Sequence, residues 1–152
     1  MTDVKKASED VWNIIVADDE GMVHMVTEMA LKNMEFDGKP LKLHSAYTAK
    51  QTLQLIRDLP NRVAIILLDI VMETLDAGLE AVPLIRDEIT DHEVRIIIRT
   101  GQAGRSAQDD IIRNYDINDF YDKVSLDHDR LINAVTLALR NYRDILRQKN
   151  NV

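Results

Sequence analysis

Six apolar residues, Val63-Ala64-Ile65-Ile66-Leu67-Leu68, run without interruption into a carboxylate, Asp69. An unbroken apolar run of this length, rich in β-branched side chains, reads as a strand buried on both faces. A charge inside such a strand is costly, so Asp69 belongs at its carboxyl end, on the rim of a sheet. That rim is where open α/β sheets bind ligands. A strand covered on both sides also demands helices above and below, which limits the architectures open to the rest of the chain.

The remaining segments meet that demand. Val11–Ala17 reads as a first strand ending in Asp18-Asp19-Glu20. An amphipathic helix follows, with Met22, Val26 and Met29 at helical spacing, and its methionines read as core filler. Asp37-Gly38-Lys39-Pro40 breaks it. Leu41–Ala46 alternates as a second strand, and Thr48 caps a helix that stops at Pro60. After Asp69 come a loop and a helix past Gly78, which Pro83 predicts to start late, since proline belongs in a first turn. Val94–Arg99 forms a fourth strand ending at Thr100-Gly101, and residues 106–115 form a short helix. Asp119–Asp122 forms a fifth strand ending at Lys123, and a last helix starts near Asp127 or Asp129. Five strands alternating with five helices predict a doubly wound, flavodoxin-like α/β fold with a parallel sheet in the order 2-1-3-4-5.

The 152 residues suit one domain. Residues 1–10 are polar and expected to fray, 11–147 form the domain, and 148–152 form a tail. A net charge of -7 argues against sequence-independent contact with nucleic acid or an anionic membrane. The chain has no cysteine, which removes disulfides, thiol nucleophiles and Cys-ligated metals and suits a reducing cytoplasm. No apolar run approaches the ~18 residues of a membrane-spanning helix. The four histidines, His24, His44, His92 and His128, show no ligand spacing and receive no role.

In that topology the carboxyl ends of all five strands share one rim, bringing Asp18, Asp19, Asp69, Thr100 and Lys123 together. Clustered carboxylates raise one another's pKa unless a cation or Lys123 relieves them. An all-oxygen donor set suits a hard cation such as Mg²⁺. A carboxylate, a divalent cation, a hydroxyl and a lysine together suit the capture of a phosphoryl group as an acyl phosphate.

Four segments carry a resemblance: Ile14-Ile15-Val16-Ala17-Asp18-Asp19-Glu20, Leu67-Leu68-Asp69-Ile70-Val71-Met72, Ile98-Arg99-Thr100-Gly101 and Phe120-Tyr121-Asp122-Lys123. In this order and at these strand ends, the chain resembles the receiver domains of bacterial two-component response regulators over about residues 11–147. The resemblance implies that Asp69 accepts a phosphoryl group from a histidine kinase or phosphotransfer protein. It implies Mg²⁺, with Mn²⁺ able to substitute, on Asp19, Asp69 and the backbone carbonyl of Val71, with Asp18 acting through water. Thr100 would follow the phosphoryl group, Lys123 would pair with it, and Phe120 would be a coupled aromatic switch. Val71–Leu79 and Arg99–Gln102 are similar to a subgroup found at the N-terminus of longer signalling proteins. Those carry cyclic-dinucleotide phosphodiesterase, cyclase or kinase modules downstream.

The chain departs from the family pattern in three places. Val124 stands where a cis proline usually follows the lysine; a cis bond before valine would cost ~2.5–4 kcal/mol, so a trans bond is expected. Glu73 replaces a proline in the loop after Asp69, and that loop is one residue longer before Gly78. Val71 is apolar where many receivers face the attacking water with a polar group, which predicts slow self-dephosphorylation. The apolar stripe of the last helix is long enough for core packing or for a homodimer. The reading is a switch with no turnover on a metabolite. Two others stay open: an Mg²⁺-dependent aspartyl-phosphate phosphatase of the haloacid dehalogenase type, against which Val71 stands where a second Asp is wanted, and a receiver-like module that only binds partners.

Overall fold

The structure, a computed structural model, describes residues 10–101 and 105–150. The expected frayed start lies outside these residues except for Asp10, as do Gln102 and the last two residues of the tail. The elements are β1 (Trp12–Ala17), α1 (Gly21–Leu31), β2 (Glu35–Phe36), β3 (Lys39–Ala46), α2 (Ala49–Asp58) and β4 (Val63–Leu68). Then follow α3 (Ala77–Pro83), a π-helical turn (Leu84–Glu88), β5 (Arg95–Thr100), α4 (Arg105–Asn114), β6 (Asp119–Asp122) and α5 (His128–Asn150).

The sheet order is β2-β3-β1-β4-β5-β6. The five parallel strands have the expected 2-1-3-4-5 arrangement, but the sheet has a sixth strand. Glu35 and Phe36 pair antiparallel with Pro40 and Lys39. Asp37 and Gly38 between them have φ of 52° and 74°, the two positive values of the tight hairpin turn whose twist matches its strands. Asp37-Gly38 therefore turns a hairpin rather than only ending a helix.

β1 and β4 are buried along their whole length, and each fully buried Ile or Leu contributes about 1.5–3 kcal/mol. One face of the sheet, with Ile15, Ile66, Leu68, Ile96 and Ile98, packs with Ile85 and Ile111 from the α3–α4 side. The other, with Ile14, Val16, Leu67 and Ile97, packs on Leu31 of α1 and Leu131, Val135 and Leu139 of α5.

Two expectations about the helices need correction, and the last helix is open to two uses. The helix after Asp69 starts early, at Ala77, and Pro83 sits at its seventh residue. Proline removes one donor and crowds the carbonyl four residues back. The chain accommodates it by tightening at Leu84, whose amide donates to Ala81, then widening so that the Ile89 amide reaches Leu84. Buried Arg86 holds the widened turn by donating to the carbonyls of Asp91, Val94 and Asp116 and to Asn118 Oδ1.

The methionines of α1 are also not core filler: Met22, Met25 and Met29 are 66%, 58% and 67% exposed, beside Val26. The buried stripe of α1 consists instead of His24, Thr27, Ala30 and Leu31. Finally, the far end of α5 finds its partner within the domain. Tyr142 and Phe36 meet Trp12 edge-on, Trp12 Nε1 donates to the Phe36 carbonyl, and Arg143 pairs with Asp37 in the hairpin turn. The helix continues through Asn150, past the residue at which the tail was expected to begin. Among the described residues, no helix is long and apolar enough to cross a membrane.

Candidate functional site

Strand register assembles the site. Ala17 pairs with Leu68, Leu68 with Ile98, and Thr100 with Asp122. One residue further along lie Asp18, Asp69 and Lys123. Their backbones are held by amide bonds from Asp18 to Ala46, from Asp69 to Ala17 and from Lys123 to Thr100. Asp18 is 1% exposed, Asp69 4% and Thr100 2%, whereas Asp19 and Glu20 face solvent.

Lys123 joins the carboxylates. Its Nζ donates to Glu20 Oε1 at 3.0 Å and Asp69 Oδ2 at 3.1 Å. It also stands 2.9 Å from Asp18 Oδ2, as an ion pair. The other oxygens accept from the backbone, Asp18 Oδ1 from Glu20 and Asp69 Oδ1 from Ile70. Burial pushes the Asp69 carboxyl up and the Asp18 charge adds to this, while Lys123 pulls it partly back. Burial pushes the Lys123 ammonium down, but Asp18, Glu20 and Asp69 more than reverse that and hold it charged.

Of the expected site residues, the structure brings Asp18, Asp69 and Lys123 into direct contact, with Asp19 at the open side. Carboxylate oxygens of Asp18, Asp19 and Glu20 lie within 4.8 Å of one another, an acidic group able to hold a cation. Thr100 and Val71 line, with Ile70 and residues of α4, a neighbouring cleft of about 410 Å³. Phe120 is buried in the same apolar cluster as Ile98 and Ile111. The Lys123–Val124 peptide is trans, as expected, and the Val124 amide donates to Asp122 Oδ1.

Four further residues shape the site although the sequence reading gives them no part in it. Glu20 is a ligand of Lys123, a role its place in the acidic run allows. His24 is buried behind Asp18, where its Nε2 donates to the Asp18 carbonyl at 2.7 Å while Nδ1 meets Ser45 Oγ at 3.0 Å. Its signal was its helical spacing within the buried stripe of α1. Glu73, in the proline's place, reaches the N-terminus of α2, accepting from the Ala49 and Lys50 amides at 2.7 and 3.1 Å. Burial pushes its carboxyl up, and the amide bonds outweigh that and hold it below the ordinary range. Arg99 is buried beneath the rim, 6% exposed, and its Nη1 donates to Thr27 Oγ1 at 2.9 Å.

Gly78 lets α3 dock on the site. A Cβ there would stand 1.9 Å from the Asp69 carbonyl oxygen, and the Gly78 amide donates to Ile70 at 2.9 Å. No side chain fits between this helix and the Asp69 backbone.

No protein-family model matches the chain. It is 35% identical over 138 residues to 3'3'-cGAMP-specific phosphodiesterase 2 of Vibrio cholerae serotype O1, matching 91% of this chain. The chain spans about a quarter of that relative's length, 26%. Among solved structures it is similar to the signal receiver domain of an HD domain-containing protein from Pseudomonas fluorescens, with a TM-score of 0.73 and 20% identity, covering 88% of this chain and 98% of that one. A CheY-like response regulator receiver domain from Methanospirillum hungatei gives a TM-score of 0.72 at 19% identity, with 88% and 98% covered. A receiver domain from Clostridium thermocellum gives 0.72 at 20%, with 89% and 99% covered. In fold, the chain is similar to the receiver domains of response regulators.

Proposed function

We propose that this chain is a phosphoacceptor switch in which Asp69 takes a phosphoryl group and the charged form controls a downstream module. The observation that carries the reading is the buried Asp18–Lys123–Asp69 contact at the rim of a parallel sheet. An Asp69 oxygen attacks the phosphorus of a phosphohistidine on a histidine kinase or phosphotransfer protein. The P–O bond forms as the P–N bond breaks, and the leaving imidazole nitrogen keeps the electron pair and takes a proton. Lys123 neutralises charge developing on the phosphoryl oxygens. Thr100 follows the group, and Phe120, packed with Ile98, couples that movement to the face built by α4 and β6.

The donor set fits Mg²⁺, because it is all oxygen and carboxylate oxygens of Asp18, Asp19 and Glu20 lie within 4.8 Å of one another. Asp19, Asp69 and the Val71 carbonyl would hold the ion, with Asp18 acting through water, and Mn²⁺ would substitute. When bound, the ion would screen the incoming phosphoryl charge.

The donor reaches Asp69 from the open side of the rim, where α1 begins. The exposed Met22, Met25, Val26 and Met29 offer an apolar surface there, of the kind that marks a protein interface. The similarity to a longer phosphodiesterase supports a receiver spanning residues 11–147 at the head of a longer signalling protein, with a cyclic-dinucleotide phosphodiesterase as its output. The site requires no turnover on a metabolite, and a cytoplasmic setting supplies the kinase.

Intact-mass measurement after incubation with acetyl phosphate and Mg²⁺ tests the reading. One phosphoryl adduct, lost in Asp69→Asn, supports it. Catalytic release of phosphate would favour a phosphatase instead, and no adduct would favour a partner-binding module.

A further inference from the structure

Arg99 is an unusual residue to bury one position before a strand end. It follows Ile98, whose sheet partner is Leu68, so it lies beside Asp69 in the row that also contains Asp18. Its guanidinium is on the α1 face, since Nη1 reaches Thr27. Its Nη2 is fully buried and has no hydrogen-bond acceptor among the described residues. The only other buried polar side-chain atom in that condition among those residues is Asp18 Oδ2. Burial pushes the guanidinium down, and the charges of Asp18, then Asp69, push it back up. A buried charge without its full set of partners costs several kcal/mol, so its presence calls for an explanation.

The chemistry of the switch supplies that arrangement. Phosphorylation replaces the single negative charge of Asp69 with an acyl phosphate carrying close to two. The new P–O bond forms at Asp69 and the donor leaves with the electron pair, so the added charge stays in the pocket. Lys123 already serves Asp18, Glu20 and Asp69. An ammonium has three donors, so one that turns to the phosphoryl oxygens has fewer left for these carboxylates.

We propose that Arg99 is the reserve counter-ion of Asp18: when Lys123 turns to the phosphoryl group, Arg99 Nη2 takes up the Asp18 carboxylate. Arg99 is thus a positioning residue, acting through Asp18 and freeing Lys123. The proposal rests on Asp69 being the phosphoacceptor.

A double-mutant cycle tests it, with adduct formation from acetyl phosphate at saturating Mg²⁺ followed by intact mass. Wild type, Arg99→Gln, Arg99→Lys, Asp18→Asn and the Asp18→Asn/Arg99→Gln pair are compared, and the unfolding midpoint of each is recorded. Loss of a charged hydrogen bond predicts that Arg99→Gln slows labelling by at least about tenfold. Arg99→Lys restores most of the rate, and Arg99→Gln changes little once Asp18 is Asn. In the wild type, the Arg99 Nη resonances move on phosphorylation, which tests the contact even if Arg99→Gln fails to fold. Labelling of Arg99→Gln at the wild-type rate overturns the inference, as does an additive cycle or an Arg99 signal that phosphorylation leaves in place. Absence of any wild-type adduct overturns the phosphoacceptor reading itself, and the inference with it.

Discussion

At the scale of single residues, the site is a carboxylate held in a place that disfavours its charge. Burial and Asp18 raise the Asp69 carboxyl above its ordinary value of 3.8, against the pull of Lys123. A group whose pKa rises on folding favours the fold while protonated and loses that contribution as pH climbs through the folded value. At neutral pH, then, ionised Asp69 weakens the fold. Asp69→Asn keeps the bond from the Ile70 amide and removes the charge. It should raise the unfolding midpoint at pH 7, and the gain should shrink as acid protonates the wild-type carboxyl. Thermal melts across that range check the sign; a gain that grows with acidification would contradict it. That Asp69 lay at a rim was legible from the apolar run before it. That Lys123 would relieve clustered carboxylates was legible too; that Glu20 would be one of the three was not, because side-chain reach depends on the loop after β6, where Asp122 ties down the Val124 amide.

At the scale of elements, α3 and the loop before it set the geometry around Asp69. Gly78→Ala would drive a methyl into the Asp69 carbonyl, 1.9 Å away. It should cost about 2–3 kcal/mol of stability and abolish labelling, as read by denaturant unfolding and intact mass. The opposite change is available at the end of the π-helical turn, where Thr90 has a φ of 59°, left-handed backbone that a β-branched residue adopts at a cost. Thr90→Gly should stabilise the protein by about 1 kcal/mol in the same unfolding measurement. The helical turn itself was not legible: Pro83 argues for a helix start when read locally, and the bonds of Arg86 that hold the widened turn reach as far as Asp116 and Asn118. The hairpin strand was missed for a related reason. Asp37-Gly38 is a strong turn signal, but Glu35–Phe36 is too short to show the alternation of a strand.

At the scale of the whole molecule, the parallel order and the convergence at the rim were readable because they follow from strand alternation alone. The division of helix faces was less so. The spacing of Met22, Val26 and Met29 is helical, but periodicity identifies an apolar face without saying what covers it. Within the domain α1 uses its other face, and the methionine face is exposed. Met22→Glu with Met29→Glu should therefore slow phosphoryl transfer from a phosphohistidine protein by about tenfold or more while leaving labelling by acetyl phosphate unchanged. Parallel time courses with the two donors check this; equal losses with both would place the defect in the pocket instead. The last helix, whose stripe could serve core packing or a homodimer, packs part of that stripe on Trp12 and the β2–β3 hairpin, by residues such as Tyr142.

The central claim is that Asp69 carries the phosphoryl group, and chemical mapping tests it most directly. Protein incubated with acetyl phosphate and Mg²⁺ is reduced with borohydride, which converts an aspartyl phosphate to homoserine, and is then sequenced by peptide mass spectrometry. The prediction is homoserine at position 69, absent without the donor. Homoserine at position 18 or 19, or none anywhere in a protein that has taken up phosphate, would contradict it.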